Sequence, residues 1–346
     1  MVKNILLIQL GDIGDVVLTF PSIKAIKENF PQTNLAVAVR KKAEELIDDC
    51  IWVDKTVVIS EKKSSFREEF FHQLKFFSNL RKYHFDLAID LRTDTRGAFL
   101  ALLSGAKVKI GFYDNNGEFW RNIIYTNLLH QDYKIGQYVA DYYYSLLKNN
   151  NILTDHTIPE YIVPNRKIYL AKELLLKQGL KSDSFLVALQ PFSLWQYKEL
   201  KQDFYLQMID WFYQKYNAKV IIVGCAAEVN RSFDLVSKCK QKVYNITGKT
   251  TIGLFAAVLK LCDLFIGIDS AGLHIAASVQ TPTISFFGPS SSESWAPKGK
   301  NHKVIQKELA CVPCRQKGCN NSEKSFCLDH LTFKETKNKI SNFLNR

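Results

Sequence analysis

The chain alternates short apolar strands with helical stretches, and it does so in two series. The first series predicts strands at Asn4–Leu10, Asn34–Arg40, Lys55–Ile59, Leu87–Asp90 and Val108–Phe112. After a polar stretch around residues 149–155, the second series predicts strands at Phe185–Gln190, Lys219–Val223, Leu264–Ile268 and Thr281–Phe287. This alternation is typical of α/β proteins with parallel sheets.

A length of 346 residues suits two such domains better than one core. We therefore predict two Rossmann-like, doubly wound domains, residues 1–160 and 161–330. Residues 331–346 are expected to form a helix that packs back against the first domain, since Phe333, Ile340 and Leu344 share one face. Ligands of such sheets bind beyond the carboxyl ends of the strands, so sites are expected there, facing a shared cleft.

The apolar segments are too short to cross a membrane. None approaches the roughly 20 residues that a spanning helix needs, and the run Ile5–Leu10 leads directly into Gly11 and Asp12. That run reads as a buried strand and not as part of a signal peptide. We expect a cytoplasmic protein whose eight cysteines are reduced.

The net charge of +12 is unevenly distributed. Residues 1–160 hold 20 basic and 20 acidic side chains, residues 161–346 hold 26 and 14, and the tail 298–346 alone holds 11 and four. A basic half indicates an anionic ligand or an anionic surface, although a solvated basic face would look the same. The aromatic residues are not interleaved with the basic ones in a binding motif, so we expect no nucleic-acid partner.

Two acidic residues occupy the first strand-to-helix turn, which reads Gly11-Asp12-Ile13-Gly14-Asp15. The third glycine of a dinucleotide fingerprint is missing, and a negative turn is a poor phosphate cradle. A carboxylate at a helix start can instead accept a proton from a substrate hydroxyl. The alternative is that Asp12 is a turn residue and Asp15 a helix cap.

Three further turns of the second half carry polar side chains. Asp269-Ser270-Ala271-Gly272-Leu273-His274 leads from a strand into a helix, where small residues leave backbone N–H groups open to an anion such as a pyrophosphate. Ser193 and Lys198 lie in a loop after another strand, and Glu228 follows a third. Lys198 could neutralise a diphosphate, or it could be an ordinary surface charge. Glu228 could bind a ribose, or it could be an acid favoured at the start of a helix. His274 is either a ligand contact or a packed helix residue.

Together these segments resemble the heptosyltransferase family, the lipopolysaccharide-core enzymes with the GT-B glycosyltransferase fold. The resemblance is carried, in order along nearly the whole chain, by Ile5–Pro21, Asp86–Leu91, Leu103–Lys107, Ile110–Phe112, Pro191–Lys198, Gly267–His274, Thr281–Pro282 and Phe287–Pro289. It implies two domains that face a central cleft, an acceptor on the first and a nucleotide-sugar on the second.

The resemblance also implies roles for residues. Asp15 matches the general base, and the donor-binding positions are Ser193, Lys198, Glu228, Asp269, Ser270, Gly272 and His274. Among these, Lys198 matches a contact to the phosphates, Glu228 to the ribose and Asp269 to the sugar. The implied reaction is inverting and needs no metal or other cofactor: a heptose moves from ADP-L-glycero-D-manno-heptose to the inner core of lipopolysaccharide. The partner is then an anionic glycolipid, reached by peripheral contact with the inner membrane leaflet that the basic tail would assist.

Two segments depart from the family pattern. Ala271 stands where many members have glycine, and residues 90–97 are more charged than usual. Asp90, Arg92, Arg96 and Arg121 are therefore candidates for binding an acidic acceptor, with solvated helix-start charges as the alternative.

Four cysteines, Cys311, Cys314, Cys319 and Cys327, fall within 17 residues. Their number suits a structural zinc or iron site, but the spacing lacks a second C-x2-C pair. We expect no metal, with thiols that order a surface loop. Within the family, this block and the chain length favour enzymes that add the second heptose.

Other functions remain compatible with the sequence. The same scaffold could transfer a sugar to another glycan or to a protein, or it could be a nucleotide-sugar epimerase, which needs no acceptor. A member of a different class would be a non-catalytic protein that only binds a nucleotide-sugar.

Overall fold

The computed structural model describes residues 2–59, 75–117, 119–180 and 185–345. The chain divides into two compact units, Met1–Tyr161 and Ile162–Arg346. In the described residues each unit contains one sheet of six strands, and every pair of neighbouring strands is parallel. Two doubly wound α/β sheets were predicted, and this fold class is confirmed.

The first unit has the strand order β3-β2-β1-β4-β5-β6. Its strands are β1 (Asn4–Ile8), β2 (Asn34–Arg40), β3 (Lys55–Ile59), β4 (Leu87–Asp90), β5 (Val108–Phe112) and β6 (Asn127–Leu129). Its helices include Ile13–Val17, Phe20–Asn29, Glu44–Asp48, Thr95–Leu103, Phe119–Ile124 and Val139–Asn149. The buried faces of β1 and β4 form the core with the helix Thr95–Leu103.

The second unit has the order β12-β11-β10-β7-β8-β9. Its strands are β7 (Leu186–Gln190), β8 (Lys219–Ile222), β9 (Val243–Asn245), β10 (Leu264–Ile268), β11 (Thr283–Phe287) and β12 (His302–Gln306). Its α-helices are Asn165–Lys177, Gln202–Tyr216, Val229–Ser237, Ile252–Lys260, Ala271–Ser278, Ser292–Trp295, Phe326–Asp329 and Phe333–Leu344. Counted within each unit, the two sheets have the same order, and the first strand lies beside the fourth.

Each sheet therefore has a topological switch point between its first and fourth strands. In the first sheet Ile8 of β1 is paired with Asp90 of β4, and in the second Gln190 of β7 is paired with Gly267 of β10. The chain leaves these strands toward opposite sides, which opens a crevice at their carboxyl ends where ligands of such sheets bind. The turns of Asp15, of Ser193 and Lys198, and of Asp269 follow these strands, whereas Glu228 follows β8.

The final helix, Phe333–Leu344, belongs to the second unit. Phe333 and Ile340 are buried in that unit's core, and the ring of Phe333 meets Phe204 edge to face at 5.7 Å. The apolar face that was expected to turn toward the first domain is thus used within the second unit, while packing of residues 331–346 on the first domain stays a prediction. In the described part of the chain, no helix combines the length and apolar character that spanning a membrane requires.

Candidate functional site

Asp15 lies in the short helix that follows β1, and its carboxylate is held by two hydrogen bonds and one ion pair. The hydroxyl of Tyr143 donates to Oδ1 at 2.7 Å, and the backbone N–H of Asp12 donates to Oδ2 at 2.8 Å. The guanidinium of Arg92 lies 3.5 Å from Oδ2. The side chain keeps 14% of its surface exposed, so it is ordered by the protein and still reaches solvent. That combination suits a carboxylate that exchanges a proton with a bound hydroxyl.

Gly11, the first residue of the turn, allows Asp15 and Arg92 to lie close to each other. A Cβ on Gly11 would lie 2.6 Å from Cβ and Oδ2 of Asp15 and 2.7 Å from Nη1 of Arg92. The backbone N–H of Gly11 donates to the buried side chain of Gln9 at 3.1 Å, and Gln9 in turn donates to Thr19 at 3.0 Å. The turn is therefore fixed from within the core.

Asp12 is placed differently from Asp15. Its carboxylate is 59% exposed and pairs with Lys42 and, at 3.5 Å, with Arg40. The hydrogen bond from Lys42 lowers the pKa of Asp12 more than its partial burial raises it. Asp12 is thus a surface acid that caps its turn and ties it to the end of β2.

Arg92 follows β4, and its position is fixed by hydrogen bonds with three neighbouring residues. Its Nε donates to Asp94 at 3.0 Å, and its backbone N–H donates to Asp90 at 3.1 Å. Its carbonyl accepts from Nη2 of Arg121 at 2.9 Å. These contacts fix the loop that directs Arg92 toward Asp15.

Asp90 and Arg121, both expected as acceptor contacts, are buried. Arg121 is 1% exposed, and its guanidinium donates to the carbonyl of Phe112 at 2.8 Å. Asp90 is fully buried and accepts from the hydroxyl of Tyr125 at 2.5 Å. Burial raises the pKa of Asp90 to about 7 against the lowering contribution of Tyr125. Both residues make hydrogen bonds to the backbone of Arg92. Direct contact of Asp90 or Arg121 with an acceptor stays a prediction.

Arg96 is exposed in the first turn of the helix Thr95–Leu103. Of the four predicted acceptor residues, Arg92 and Arg96 are therefore the two whose side chains reach the surface. The structure joins Asp15 to Arg92, and Arg92 to Asp90 and Arg121, in one connected network.

Lys198 and Asp269 form an ion pair at the switch point of the second sheet. The Lys198 ammonium lies 2.6 Å from Oδ2 of Asp269, whose residue is 7% exposed. Burial would raise the pKa of Asp269, but Lys198, Ser290 and His274 together hold that pKa below its ordinary value. Asp269 is therefore a buried anion, and the Lys198 ammonium, 21% exposed at its side chain, lies between it and solvent.

The turn after Asp269 approaches β7 closely. Ser270 is the N-cap of the helix Ala271–Ser278, and its hydroxyl donates to Oε1 of Gln190 at 3.3 Å. A Cβ on Gly272 would lie 1.8 Å from the same Gln190 oxygen. His274 is buried in the first turn of the helix, with its ring 6.3 Å from that of Trp295. Backbone N–H groups at the start of this helix are oriented to bind an anion.

A second ion pair links the loop of Ser193 to the helix that follows Glu228. The backbone N–H of Ser193 donates to Glu199 at 2.9 Å, and Glu199 binds the guanidinium of Arg231 through both carboxylate oxygens. Arg231 belongs to the helix that begins next to Glu228.

Glu228 itself is buried and acts as a cap. One of its oxygens accepts from the backbone N–H of Cys225 at 2.7 Å, and burial raises its pKa. A Cβ on Gly224 would lie 2.3 Å from the same oxygen. The helix-start role that the sequence left open is therefore observed, and binding of a ribose stays a prediction.

Comparisons with known proteins identify the family of this chain. Residues 73–325 match the model of glycosyltransferase family 9, the heptosyltransferases, which is well over half of the chain. The chain belongs to glycosyltransferase family 9. The predicted family and its glycosyltransferase activity are thereby confirmed.

Individual members of family 9 and solved structures are similar over nearly the full chain. The chain is 25% identical over 303 residues to "Lipopolysaccharide heptosyltransferase 3" of Escherichia coli K12, covering 85% of this chain and 84% of that protein. The family 9 glycosyl transferase of Veillonella parvula superposes with a TM-score of 0.84 at 20% identity, covering 99% and 97% of the two chains. The E. coli "ADP-heptose lps heptosyltransferase II" gives 0.81 at 16% identity and 99% coverage of both. These structures show the shared GT-B fold.

In this family 9 chain, Cys311, Cys314 and Cys319 precede the last two α-helices, and Cys327 lies in the first of them, Phe326–Asp329. All eight cysteines, each within the described residues, are free thiols. Cys311 and Cys319 are exposed while Cys327 is buried, and burial raises the pKa of Cys327 to about 11. Among the described residues no group of three or more His, Cys, Asp or Glu side chains is arranged to hold a metal ion.

Sequence reasoning missed several residues that build the site. Tyr143 lies 128 positions from its partner Asp15, in the middle of a helix, and nothing in the local sequence marks it. Glu199 and Arg231 were likewise missed. Gln190 could have been found, since a polar residue at the end of a strand beside the switch point is a ligand position in such folds.

Proposed function

We propose that this chain transfers a heptose from ADP-L-glycero-D-manno-heptose to the inner core of lipopolysaccharide, with inversion at the anomeric carbon and Asp15 as general base. The observation that carries the proposal is the Asp15 carboxylate, held by two hydrogen bonds and an ion pair and still open to solvent at the switch point of the first sheet. It is the arrangement that a proton acceptor needs in a chain of family 9.

The donor is assigned to the second unit. The proposal places the diphosphate at the start of the helix Ala271–Ser278, with Ser270, Gly272 and His274 around it. Partial positive charge at that helix end, together with Lys198, favours an anion. Asp269 would accept hydrogen bonds from the sugar, Ser193 would contact the phosphates and Glu228 the ribose. The E. coli structure named for ADP-heptose has the same fold, which supports an adenine nucleotide donor.

The proposed chemical step is a single displacement. The acceptor hydroxyl oxygen forms a bond to the anomeric carbon, and the bond from that carbon to the diphosphate oxygen breaks, so that ADP leaves with the electron pair. The hydroxyl proton passes to Asp15. Lys198 and the helix start stabilise the negative charge that develops on the leaving diphosphate. These residues are sufficient for the step, and the proposal assigns no cofactor.

The acceptor is assigned to the first unit. Arg92 and Arg96 are surface guanidiniums that can bind phosphate or carboxylate groups of an anionic glycolipid. Asp90 and Arg121 would act by holding Arg92. Because the acceptor is part of a membrane, we place the protein in the cytoplasm, in peripheral contact with the inner membrane.

The position of the heptose is a finer question. The relative from E. coli K12 carries the name "Lipopolysaccharide heptosyltransferase 3", whereas the cysteine block favours the second heptose. A transferase for another glycan or for a protein uses the same donor half and is the remaining candidate.

A donor and acceptor screen tests this function. The purified chain is incubated with ADP-heptose, ADP-glucose or UDP-N-acetylglucosamine, and with lipopolysaccharides truncated before each inner-core heptose. We expect mass addition of one heptose with ADP-heptose and one truncated acceptor. Consumption of ADP-heptose only with a protein acceptor, or transfer of a hexose alone, would contradict the proposal.

A further inference from the structure

The hydroxyl of Tyr143 reaches the carboxylate of Asp15 from a distant helix. Tyr143 lies in the helix Val139–Asn149, is buried, and donates to Oδ1 of Asp15 at 2.7 Å. Its hydroxyl is shielded from solvent, and the hydroxyl forms hydrogen bonds with the side chains of Asp15 and Gln9. A buried hydroxyl that donates to a carboxylate in this way restricts the orientation of the carboxylate.

We propose that Tyr143 is a positioning residue that fixes the orientation of the Asp15 carboxylate and stabilises its anionic form. The inference rests on the proposed role of Asp15 as general base and deepens it. Tyr143 does not touch the substrate in this proposal; it acts through Asp15.

The two carboxylate oxygens of Asp15 contact residues from different parts of the first unit. Tyr143 occupies Oδ1, while the N–H of Asp12 and the guanidinium of Arg92 face Oδ2. Rotation of the carboxylate would break contacts at both ends, so its plane is fixed. A base held in one orientation accepts the proton along a defined direction, which favours the reactive geometry.

The charged groups around Asp15 leave Tyr143 as the neutral side-chain donor. Arg92 is partly neutralised by Asp94 at 3.0 Å, and the side chain of Asp12 is paired with Lys42 and Arg40. The hydrogen bond from a neutral hydroxyl to an anion is stronger than the bond to the neutral acid. Tyr143 therefore directs its hydrogen bond to the anionic form of the Asp15 carboxylate.

Tyr143 stays protonated over the working range of the enzyme. Burial, followed by the charge and hydrogen bond of Asp15, raises the pKa of Tyr143 well above its usual value, against a lowering by Arg92. The hydroxyl therefore keeps its proton at neutral pH and can donate it to Asp15 in a hydrogen bond.

A titration that needs no substrate tests the inference. Carboxyl ¹³C resonances of aspartate are followed against pH in the wild type, Tyr143→Phe and Tyr144→Phe, and the Asp15 signal is the one absent from Asp15→Asn. Tyr144 is the matched control, since it lies on the same helix and its hydroxyl binds the backbone of Thr154. We expect the Asp15 midpoint to rise by about one pH unit in Tyr143→Phe and to stay in Tyr144→Phe, because hydrogen bonds to charged groups are worth about that much.

The kinetic counterpart is the pH profile of kcat/KM for heptose transfer. We expect its acidic limb to move upward with the titration midpoint in Tyr143→Phe, with the KM for ADP-heptose changed by less than about twofold. An unmoved midpoint, or a moved midpoint with an unmoved limb, would overturn the positioning role. Absence of heptose transfer in the wild type would instead refute the proposed function, and the carboxyl titration would still decide whether Tyr143 stabilises the Asp15 anion.

Discussion

At the scale of single residues, Asp15 and Arg92 can approach each other because Gly11, which lies beside both, has no side chain. A methyl group there would overlap Cβ of Asp15, which belongs to a helix and cannot swing away as a flexible end could. Gly11→Ala is expected to lower the free energy of unfolding by about 1–3 kcal/mol through overpacking. Because the carboxylate is displaced, kcat/KM should fall at least ~10-fold.

Gly179→Ala separates these two effects. Gly179 has φ +83°, and a Cβ there would meet nothing within 4 Å, so alanine adds only backbone strain. The Gly179→Ala variant should have a free energy of unfolding about 1 kcal/mol lower than the wild type, measured with urea, and should keep full activity. A Gly11→Ala enzyme within about twofold of the wild type in kcat/KM would show that the turn tolerates the shift.

Asp90 makes stability depend on pH in the opposite sense from an ordinary paired acid. Its pKa is raised to about 7 by burial, so the folded state binds a proton that the unfolded chain releases near pH 3.8. Stability should therefore fall as pH rises from about 4 to about 7, and stay low above that. Relative to Asp90→Asn, the wild type should lose on the order of 4 kcal/mol across this interval, as followed by urea midpoints.

Asp54→Asn is the control for that experiment. Burial raises the pKa of Asp54, but the pair with Lys27 and the N–H of Leu35 lower it further, to below its ordinary value. The Asp54→Asn replacement should lower the free energy of unfolding by the same amount at every pH from about 5 to about 8. A wild type whose stability relative to Asp90→Asn does not change with pH would show that Asp90 is ionised in the folded state.

The residues of the site differ in how far sequence could place them. Asp15, Lys198 and Asp269 follow strands at fixed turns, and their positions were predictable from the alternation of strands and helices. Arg121 looked like a surface charge because arginine is rarely buried, yet its guanidinium donates to the backbone carbonyls of Phe112 and Arg92. The partnership of Tyr143 with Asp15 depends on tertiary packing alone, so no local pattern could predict it.

At the scale of elements, the pair Glu199–Arg231 joins two loops of the donor half. Glu199 follows the loop of Ser193 and Lys198, and Arg231 lies on the helix Val229–Ser237 with its guanidinium 4.3 Å above the ring of Phe192. Glu199→Gln and Arg231→Met should each weaken ADP binding by about 10-fold in calorimetry, and the double variant by little more than either.

The same helix supplies the control for this coupling. Asp234 is exposed, pairs with Lys238 and accepts from the side chain of Gln202, and it makes neither of the two bonds of the Glu199–Arg231 pair. Asp234→Asn should leave ADP binding unchanged. Strictly additive losses for Glu199 and Arg231 would show that the two loops are independent.

The strands show where sequence reading works and where it fails. The nine predicted strands exist, with ends that agree to within two residues. The missed strands are β6, β9 and β12, which lie at the edges of their sheets and are partly exposed. A central parallel strand is buried on both faces and reads as an apolar run, whereas an edge strand such as His302–Gln306 does not.

At the scale of the whole molecule, the excess of positive charge lies in residues 161–346. If that surface meets an anionic membrane, binding to vesicles with anionic lipid should weaken steeply with salt, at about 1 kcal/mol per basic residue near the surface. Lys334→Glu and Lys337→Glu change exposed positions of the last helix and should weaken binding further. Equal binding to neutral and anionic vesicles at all salt concentrations would contradict the peripheral contact.

The direct test of the mechanism compares Asp15→Asn with Asp12→Asn. Both replacements keep the size of the side chain, but only Asp15 lies in the network of Tyr143 and Arg92, while Asp12 is paired at the surface. Transfer from ADP-heptose to the truncated acceptor and calorimetric binding of ADP are measured for both. We expect Asp15→Asn to lose at least ~100-fold in kcat with unchanged ADP affinity, and Asp12→Asn to stay within a few-fold of the wild type. Transfer by Asp15→Asn at the rate of the wild type would show that another group takes the proton.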